Sequence, residues 1–394
     1  MDLNKEFFAC LALRHTSRLG PRTWKRILEA YQSAYEAVRC AADWPTRKLA
    51  NRSLAEAVTS EVWRADAEVE YRSTRMRRLD VVTWFDPRYP QRLREIADPP
   101  LLLYASGDAS LLSAPSVAVV GARKSTEHGL ATARRISEEL SRMGLSVVSG
   151  LALGIDREAH LGGLVGVGSS VGVLGCGLDV NYPKGNADVR AELERRGCVV
   201  SEFAPGTPPD GNNFPHRNRI ISGISLAVVV AEAAERSGSL ITARLAMEQG
   251  RDVFALPGPA GQAAFTGCHR LIREGATLAE SGEDILAELR FQFGPELTGL
   301  RNGQAPRRTS GLTSKVVSHV DQAVIPSVAR LSPPDDPEER AVFDLLDKEG
   351  QAHIDSLTRA LDWESFRVSR VLLVLEMKGL VRQCPGMRYS LVVF

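Results

Sequence analysis

The stretch from Ser116 to Gly154 constrains the fold more than any other part of the chain. It opens with Val117–Val120, an apolar and mostly β-branched run too short for a helix, as expected of a strand buried on both faces. Gly121 breaks the run, Ala122, Arg123 and Lys124 follow, and Ser125 or Thr126 is placed to cap a helix. That helix carries Leu130, Ala133, Ile136, Leu140 and Met143 near helical spacing, and Gly144 ends it. A second apolar run, Leu145 to Val148, leads into Ser149 and Gly150. Such a unit is a crossover between two parallel strands. Ligands of open α/β sheets bind at the loops leaving the carboxyl ends of the strands. Here that edge carries Arg123 and Lys124 just before a helix start, whose partial positive charge adds to theirs. An anion is expected there, and a phosphate is the most economical one.

The same alternation continues on both sides. Val81–Phe85 and Leu101–Tyr104 read as strands around a Pro-rich turn. Ile155 to about Val165 reads as a helix, Ser170–Leu174 as a strand, Asp188–Arg196 as a helix and Cys198–Ser201 as a strand. Arg219–Ile224 leads to a strand at Ala227–Val230, and Leu240–Gln249 is a helix before a strand at Val253–Leu256. The expected class is α/β, with a mostly parallel sheet and helices on both faces, over residues 79–290. Residues 1–78 look helical, with a break at Gly20-Pro21 like that of a small helix–hairpin–helix module; such a module touches DNA backbone or serves as an interaction domain. Residues 291–336, rich in Gly, Pro, Ser, Thr and Arg, read as a linker. Residues 337–394 pattern as three helices and a hairpin, Val381–Arg382 with Tyr389–Val392 around Pro385-Gly386, which describes a winged helix. Its third helix, Phe366–Met377, is mostly apolar, with Arg367, Arg370 and Lys378 the basic residues on or beside it. A protein-contact or structural role therefore competes there with base reading.

Composition narrows the function classes. With 394 residues and a formal charge of +1, the chain has no global basic field, so any nucleic-acid surface is a local patch. The 44% apolar and 25% charged content is ordinary for a soluble protein. Cysteines at 10, 40, 176, 198, 268 and 384 form no CxxC or Cys/His ligand spacing, so neither zinc nor a disulfide framework is expected, and a reducing cytoplasm fits. No signal-like core or membrane-length apolar run occurs. There is no Gly-Lys-Ser/Thr, which argues against a phosphate-loop ATPase. Gly166, Gly168 and Gly172 precede a strand instead of following one, so they read as a turn and not as a dinucleotide fingerprint. No cofactor and no metal is expected.

Three further strand-end loops carry chemistry. In Leu174–Lys184, Gly175 and Gly177 let the backbone approach a ligand, and Lys184 is placed to meet a phosphate. Cys176 lacks a partner for nucleophilic work and reads as packing. In Asn212–Ile221, Phe214 stands beside Arg217, Asn218 and Arg219. Aromatics stack unpaired bases, guanidinium groups hold phosphates, and an amide reads a base edge; core packing of Phe214 competes evenly with stacking. In Glu235–Ala243, Ser237, Gly238 and Ser239 open a helix as another anion site. Glu232 and Glu235 suggest an acid/base pair, but helix-terminus charge and solvation explain them as well. Together the loops are expected to bring Arg123, Lys124, Lys184, Arg217 and Arg219 to one basic groove.

Six ordered blocks carry a resemblance. VAVVGARKSTEHG, VVSGLALGIDREAH, VLGCGLDVNYP, NNFPHRNRIISG, ERSGSLITARLAMEQGRDVFALPG and CHRLIREGA resemble the signatures of the DNA-processing protein A (DprA/Smf) family, over about residues 80–290. The resemblance implies an extended Rossmann-like core that binds single-stranded DNA, forms a homodimer and loads the recombinase RecA during natural transformation, without enzymatic activity. By position it implies that Gly121, Arg123 and Lys124 form the first DNA-contacting loop and Ser149 and Gly150 the second. Lys184 follows the Tyr-Pro, and Phe214, Arg217, Asn218 and Arg219 form the stacking and phosphate-holding block. The implied dimer surface spans about Val253 to Leu289. Two positions depart from the pattern: Leu153 stands where Arg is common, and His269 where Asn is common. A nucleoside-monophosphate-cleaving enzyme of related fold is the alternative, and a scaffold acting through the flanking modules is a third.

Overall fold

The computed structural model describes residues 2–297, 334, 336–349, 351–378, 380–384 and 388–391. They fall into two compact units, one running through the last helix of the α/β core and one comprising the C-terminal elements.

The first unit begins with five helices: α1 (Leu3–His15), α2 (Pro21–Glu29), α3 (Ala34–Arg39), α4 (Arg52–Thr59) and α5 (Arg64–Met76). Their starts follow the local chemistry. Asp2, Ser33 and Asn51 cap α1, α3 and α4 with their side chains, and Pro21 occupies the first turn of α2. These helices share one apolar core with the sheet: Phe7, Leu11, Ile27 and Trp44 belong to the same cluster as Val82, Leu103 and Val199. The change of sequence character near residue 78 is therefore not a gap in packing.

The sheet has nine strands: β1 (Asp80–Thr83), β2 (Leu102–Gly107), β3 (Ser116–Val120), β4 (Ser146–Ser149), β5 (Ser170–Val173), β6 (Cys198–Ser201), β7 (Ala227–Val230), β8 (Asp252–Ala255) and β9 (Thr277–Leu278). Its order is β1-β2-β6-β5-β4-β3-β7-β8-β9. β1 and β2 are antiparallel additions at one edge, and every other pairing is parallel. The helices between strands are α6 (Gln91–Glu95), α7 (Glu127–Arg142), α8 (Ile155–Gly163), α9 (Ala187–Arg196), α10 (Asn213–Ile224), α11 (Ser239–Glu248) and α12 (Thr266–Arg273), with α13 (Gly282–Leu297) after β9. Both faces of the sheet are covered, as the apolar strands require. Val117 and Val119 of β3 pack with Ile136, Ile155 and Phe254 on one side, while Ala118 and Val120 pack with Ile220, Ile221 and Ala243 on the other. The mostly parallel sheet thus agrees with the sequence, except that the last core helix runs through Leu297, past the expected start of the linker at 291. Most of that linker lies outside the described residues.

Strand order locates the ligand crevice. From β3 the chain winds outward one way through β4, β5 and β6, then returns to place β7 on the other side of β3. The carboxyl ends of β3 and β7 therefore face one another across the switch point, where open α/β sheets leave a cleft.

The second unit contains α14 (Pro337–Glu349), β10 (Gln351–His353), α15 (Ile354–Leu361), α16 (Ser365–Met377), β11 (Val381–Cys384) and β12 (Arg388–Leu391), with sheet order β10-β12-β11. Three helices and a small antiparallel sheet surround a core of Leu346, Leu357, Val368, Leu372 and Leu375. This is a winged-helix arrangement; its expected turn at Pro385-Gly386 and the last expected strand residue, Val392, lie outside the described residues.

Candidate nucleic-acid interface

A groove of about 690 Å³ lies at the switch point, walled by the β3–α7 loop, the first turns of α10 and the β7–α11 loop. A smaller pit of about 70 Å³ adjoins it, between the β4–α8 loop, Gly175, Tyr182 and α10. Phe214, Arg123 and Arg217 line both.

The β3–α7 loop is held from below. Thr126 caps α7 by accepting from the Gly129 N–H at 3.0 Å. Its own N–H and hydroxyl donate to the fully buried Glu232 carboxylate, at 3.1 and 2.6 Å. Glu232 is thus occupied in organising a helix terminus, and Glu235 is exposed and lines neither cavity. The pair offers no shared acid/base centre. Above this support Arg123 and Lys124 stand exposed. Among the described residues neither has an acidic partner within 4 Å, and the same holds for Lys184 and Arg236.

Phe214 is half-buried at the first turn of α10. Its ring lies 5.6 Å from that of Tyr182 in a stacked arrangement, and the Arg123 guanidinium sits 5.4 Å above it. A Cβ at Gly175 would come within 2.9 Å of the ring, so the glycine is what admits it. The ring is packed against Tyr182 and also lines both cavities, so its position lies between the two sequence readings, core and stacking surface.

The β4–α8 loop is clamped almost atom by atom. Asp156 accepts from the N–H groups of Gly150 and Ala152 at 3.1 and 3.3 Å. His160 accepts from the Leu151 N–H at 3.2 Å and, through its other ring nitrogen, donates to Ser170 Oγ at 2.8 Å. Asn186 donates to the carbonyls of Leu151 and Ala152. Arg217 donates through Nη1 to the carbonyls of Gly150, at 2.6 Å, and Val173. Burial pushes the His160 imidazole down to about 3, so it is neutral at ordinary pH. Burial also pushes Arg217 down to about 10, tempered by the Asp156 charge, and it remains a cation. The Asp156 carboxyl is raised by burial, a shift reduced by Arg217.

The structure does not place all the expected residues on the groove. Gly121, Arg123, Lys124, Phe214, Arg217 and Asn218 line it, and Gly150 lines the adjoining pit. Lys184 is exposed just past Pro183, which borders the pit. Ser149 has no exposed surface: its hydroxyl donates to the Val119 carbonyl at 2.7 Å and ties β4 to β3. Arg219 is a correction. Two residues along the helix from Arg217, it turns the other way, is 3% exposed, and pairs with Glu202 at 2.7 Å and Asp98 at 3.1 Å. Arg217 is also buried, so neither arginine is the free phosphate holder that sequence order suggests. Cys176 is buried and its thiol is pushed up by burial, in keeping with packing. Leu153 is 46% exposed beside the pit, whereas His269 donates to the Gly258 carbonyl and lies off the groove.

Sequence reading passed over Asp156, His160, Asn186 and Arg236. Asp156 and His160 are four apart on α8 and so share one face, a legible spacing. Their targets, though, are backbone groups no sequence pattern displays. Among the described residues no group of three or more His, Cys, Asp or Glu is placed to hold a metal ion, and no helix is long and apolar enough to cross a membrane.

Fold and site together define an open α/β protein of Rossmann type whose switch-point groove is lined by cations without acidic partners among the described residues and by a half-buried aromatic ring. The chain belongs to the DNA recombination-mediator protein A family, whose model matches residues 80–290; a DprA winged-helix model matches residues 326–387. It is 48% identical over 206 residues to DNA processing protein DprA of Streptococcus pneumoniae, covering 52% of this chain and 73% of that protein. It is 38% identical over 319 residues to protein Smf of Synechocystis, covering 77% and 78% respectively. The solved structure of the Streptococcus pneumoniae DNA processing protein A superposes with a TM-score of 0.60 at 36% identity, covering 72% of this chain and 97% of that one.

Proposed function

We propose that this protein is a recombination mediator that binds single-stranded DNA along the switch-point groove. The observation that carries the reading is one groove lined by Arg123, Lys124 and Arg236, none with an acidic partner within 4 Å among the described residues, and by the half-buried Phe214 with Arg123 over its ring; Lys184 lies just beyond the pit. Phosphates track cations, and only unpaired bases offer a face to stack on a ring. Arg217 and Asp156 act in this reading as positioning residues that hold the β4–α8 loop open beside Phe214. RecA loading during transformation rests on the family resemblance, as do a cytoplasmic location and the absence of catalysis. The homodimer is assigned to about Val253–Leu289; the two-residue edge strand β9, with Leu278 47% exposed, supplies an open sheet edge there.

The test is fluorescence anisotropy with matched single- and double-stranded oligonucleotides at two salt concentrations. Tighter, salt-sensitive binding of single strands, lost in Arg123→Ala/Lys184→Ala with an unchanged circular dichroism spectrum, is the expected result. Duplex preference retained in the double variant moves the function to the winged helix and overturns the reading.

A further inference from the structure

The end of the groove opposite the pit is built differently. It is formed by the β7–α11 loop, and it has no part in the stacking platform at Phe214. α11 is a ten-residue helix whose first turn carries no side-chain cap. Ser237 and Ser239 pair their hydroxyls at 2.8 Å across that turn, and nothing lies within 4 Å of where a Gly238 side chain would project. Arg236 and Lys124 stand exposed on the same lining, with no acidic partner within 4 Å among the described residues. One further observation points to a ligand. Thr242, one turn into α11, is 2% exposed and lines the groove, yet its hydroxyl has no hydrogen-bond partner among the described residues. Threonines in helices ordinarily return such a hydroxyl to a carbonyl of the preceding turn, as Thr16 and Thr74 do here. The residue is almost wholly buried, yet its hydroxyl is spent on no protein acceptor among the described residues and the residue lines the cationic groove, so it is a donor available to an acceptor bound there.

We infer that the amino end of α11, with Ser237, Ser239, Thr242, Arg236 and Lys124, is a separate phosphate-binding subsite of the DNA groove. This rests on the DNA-binding reading and adds to it a second anchor of defined chemistry. Backbone N–H groups of an uncapped helix start, hydroxyl donors and two cations together suit a phosphate oxygen cluster better than a base or a carboxylate. The lining holds a single carboxylate, Asp156, which is buried and already accepts from two backbone N–H groups. The phosphate comes either from the interior of a strand or from a strand terminus, where the extra charge of a monoester strengthens the same contacts.

The full chain is titrated with one single-stranded oligonucleotide in three forms: unphosphorylated, 5′-phosphorylated and 3′-phosphorylated. Thr242→Val and Ser239→Ala are compared with the unchanged chain, with Arg123→Ala as the reference for the stacking platform. Thr242→Val keeps the shape and replaces an unpartnered hydroxyl by a methyl, so its melting temperature is expected to be unchanged or raised. A merely structural role for Thr242 predicts a lower one. The expected result is about a tenfold loss of affinity in Thr242→Val, the size of one hydrogen bond to a charged group, without loss of stability. If the loss is equal for all three oligonucleotides, the subsite holds an internal phosphate. If it is confined to one phosphorylated form, the subsite holds that terminus. Unchanged binding of all three forms in both α11 variants, while Arg123→Ala still weakens them, overturns the subsite and leaves the DNA-binding reading standing. Failure of Arg123→Ala to weaken any of them counts against that reading itself.

Discussion

The switch-point groove and the third helix of the winged-helix unit carry similar numbers of basic residues and use them in opposite ways. In the groove, Arg123, Lys124 and Arg236 have no acidic partner within 4 Å among the described residues. On α16, Arg367 and Arg370 both pair with Glu338 at 2.6 Å, and Lys378 just after it pairs with Glu339 at 2.7 Å. The α16 cations are engaged by two carboxylates of α14, Glu338 shared by both arginines and Glu339 with Lys378. A basic residue is evidence of a nucleic-acid surface only when the fold leaves its charge unspent. α10 adds a third case, since Arg217 and Arg219 are cations taken out of water altogether to hold loops and helices in place.

The largest effect is expected where a buried charge loses its partner. Arg219→Met takes the buried arginine from Glu202, which keeps only the exposed His216 at 3.3 Å, and a broken buried pair costs about 3–5 kcal/mol. Urea unfolding should show a midpoint far below that of the unchanged chain; a loss under about 1 kcal/mol would return Arg219 to the class of surface cations.

A pH effect of several kcal/mol follows from His160. Its pKa in the folded state, about 3, lies below the ordinary value near 6.5, so the unfolded chain takes up a proton first as pH falls. The contribution is fully present above about pH 6.5 and is lost progressively down to about pH 3. Asp156, raised by burial, works against it and flattens the slope. Stability measured from pH 7 to pH 4 should fall less steeply in His160→Gln than in the unchanged chain, and parallel curves would refute the account.

Smaller in energy, and on binding rather than stability, is the effect of the free cations. Arg123→Ala/Lys184→Ala should weaken single-stranded DNA binding about 10- to 100-fold and lower the salt slope by about one unit per lost phosphate contact, with stability unchanged within about 0.5 kcal/mol. An unchanged salt slope would place the phosphates elsewhere. Least of all is expected from Arg370→Ala on α16. It breaks one exposed ion pair worth at most about 1 kcal/mol and should leave DNA affinity within about twofold. A tenfold loss there would erase the contrast between the two regions.

Much of this protein was determined by the sequence alone. Short β-branched runs alternating with amphipathic segments set the parallel sheet and its two covered faces, because local periodicity reports which sides of an element are buried. The loop carrying Arg123 and Lys124 was legible as an exposed cationic loop at the sheet's carboxyl edge, since it lies between a strand end and a helix start. The tertiary structure decided what the other arginines do. Arg217 and Arg219 sit two apart on one helix, about 200° of rotation, so they diverge, and their fates depend on Gly150, Val173, Glu202 and Asp98, brought in from distant segments. Asp156, His160 and Asn186 act on backbone groups that acquire an address only once β4 and α8 are in place. Charge is a property of the residue, but whether that charge is free, paired or buried is a property of its neighbours, and only folding chooses those.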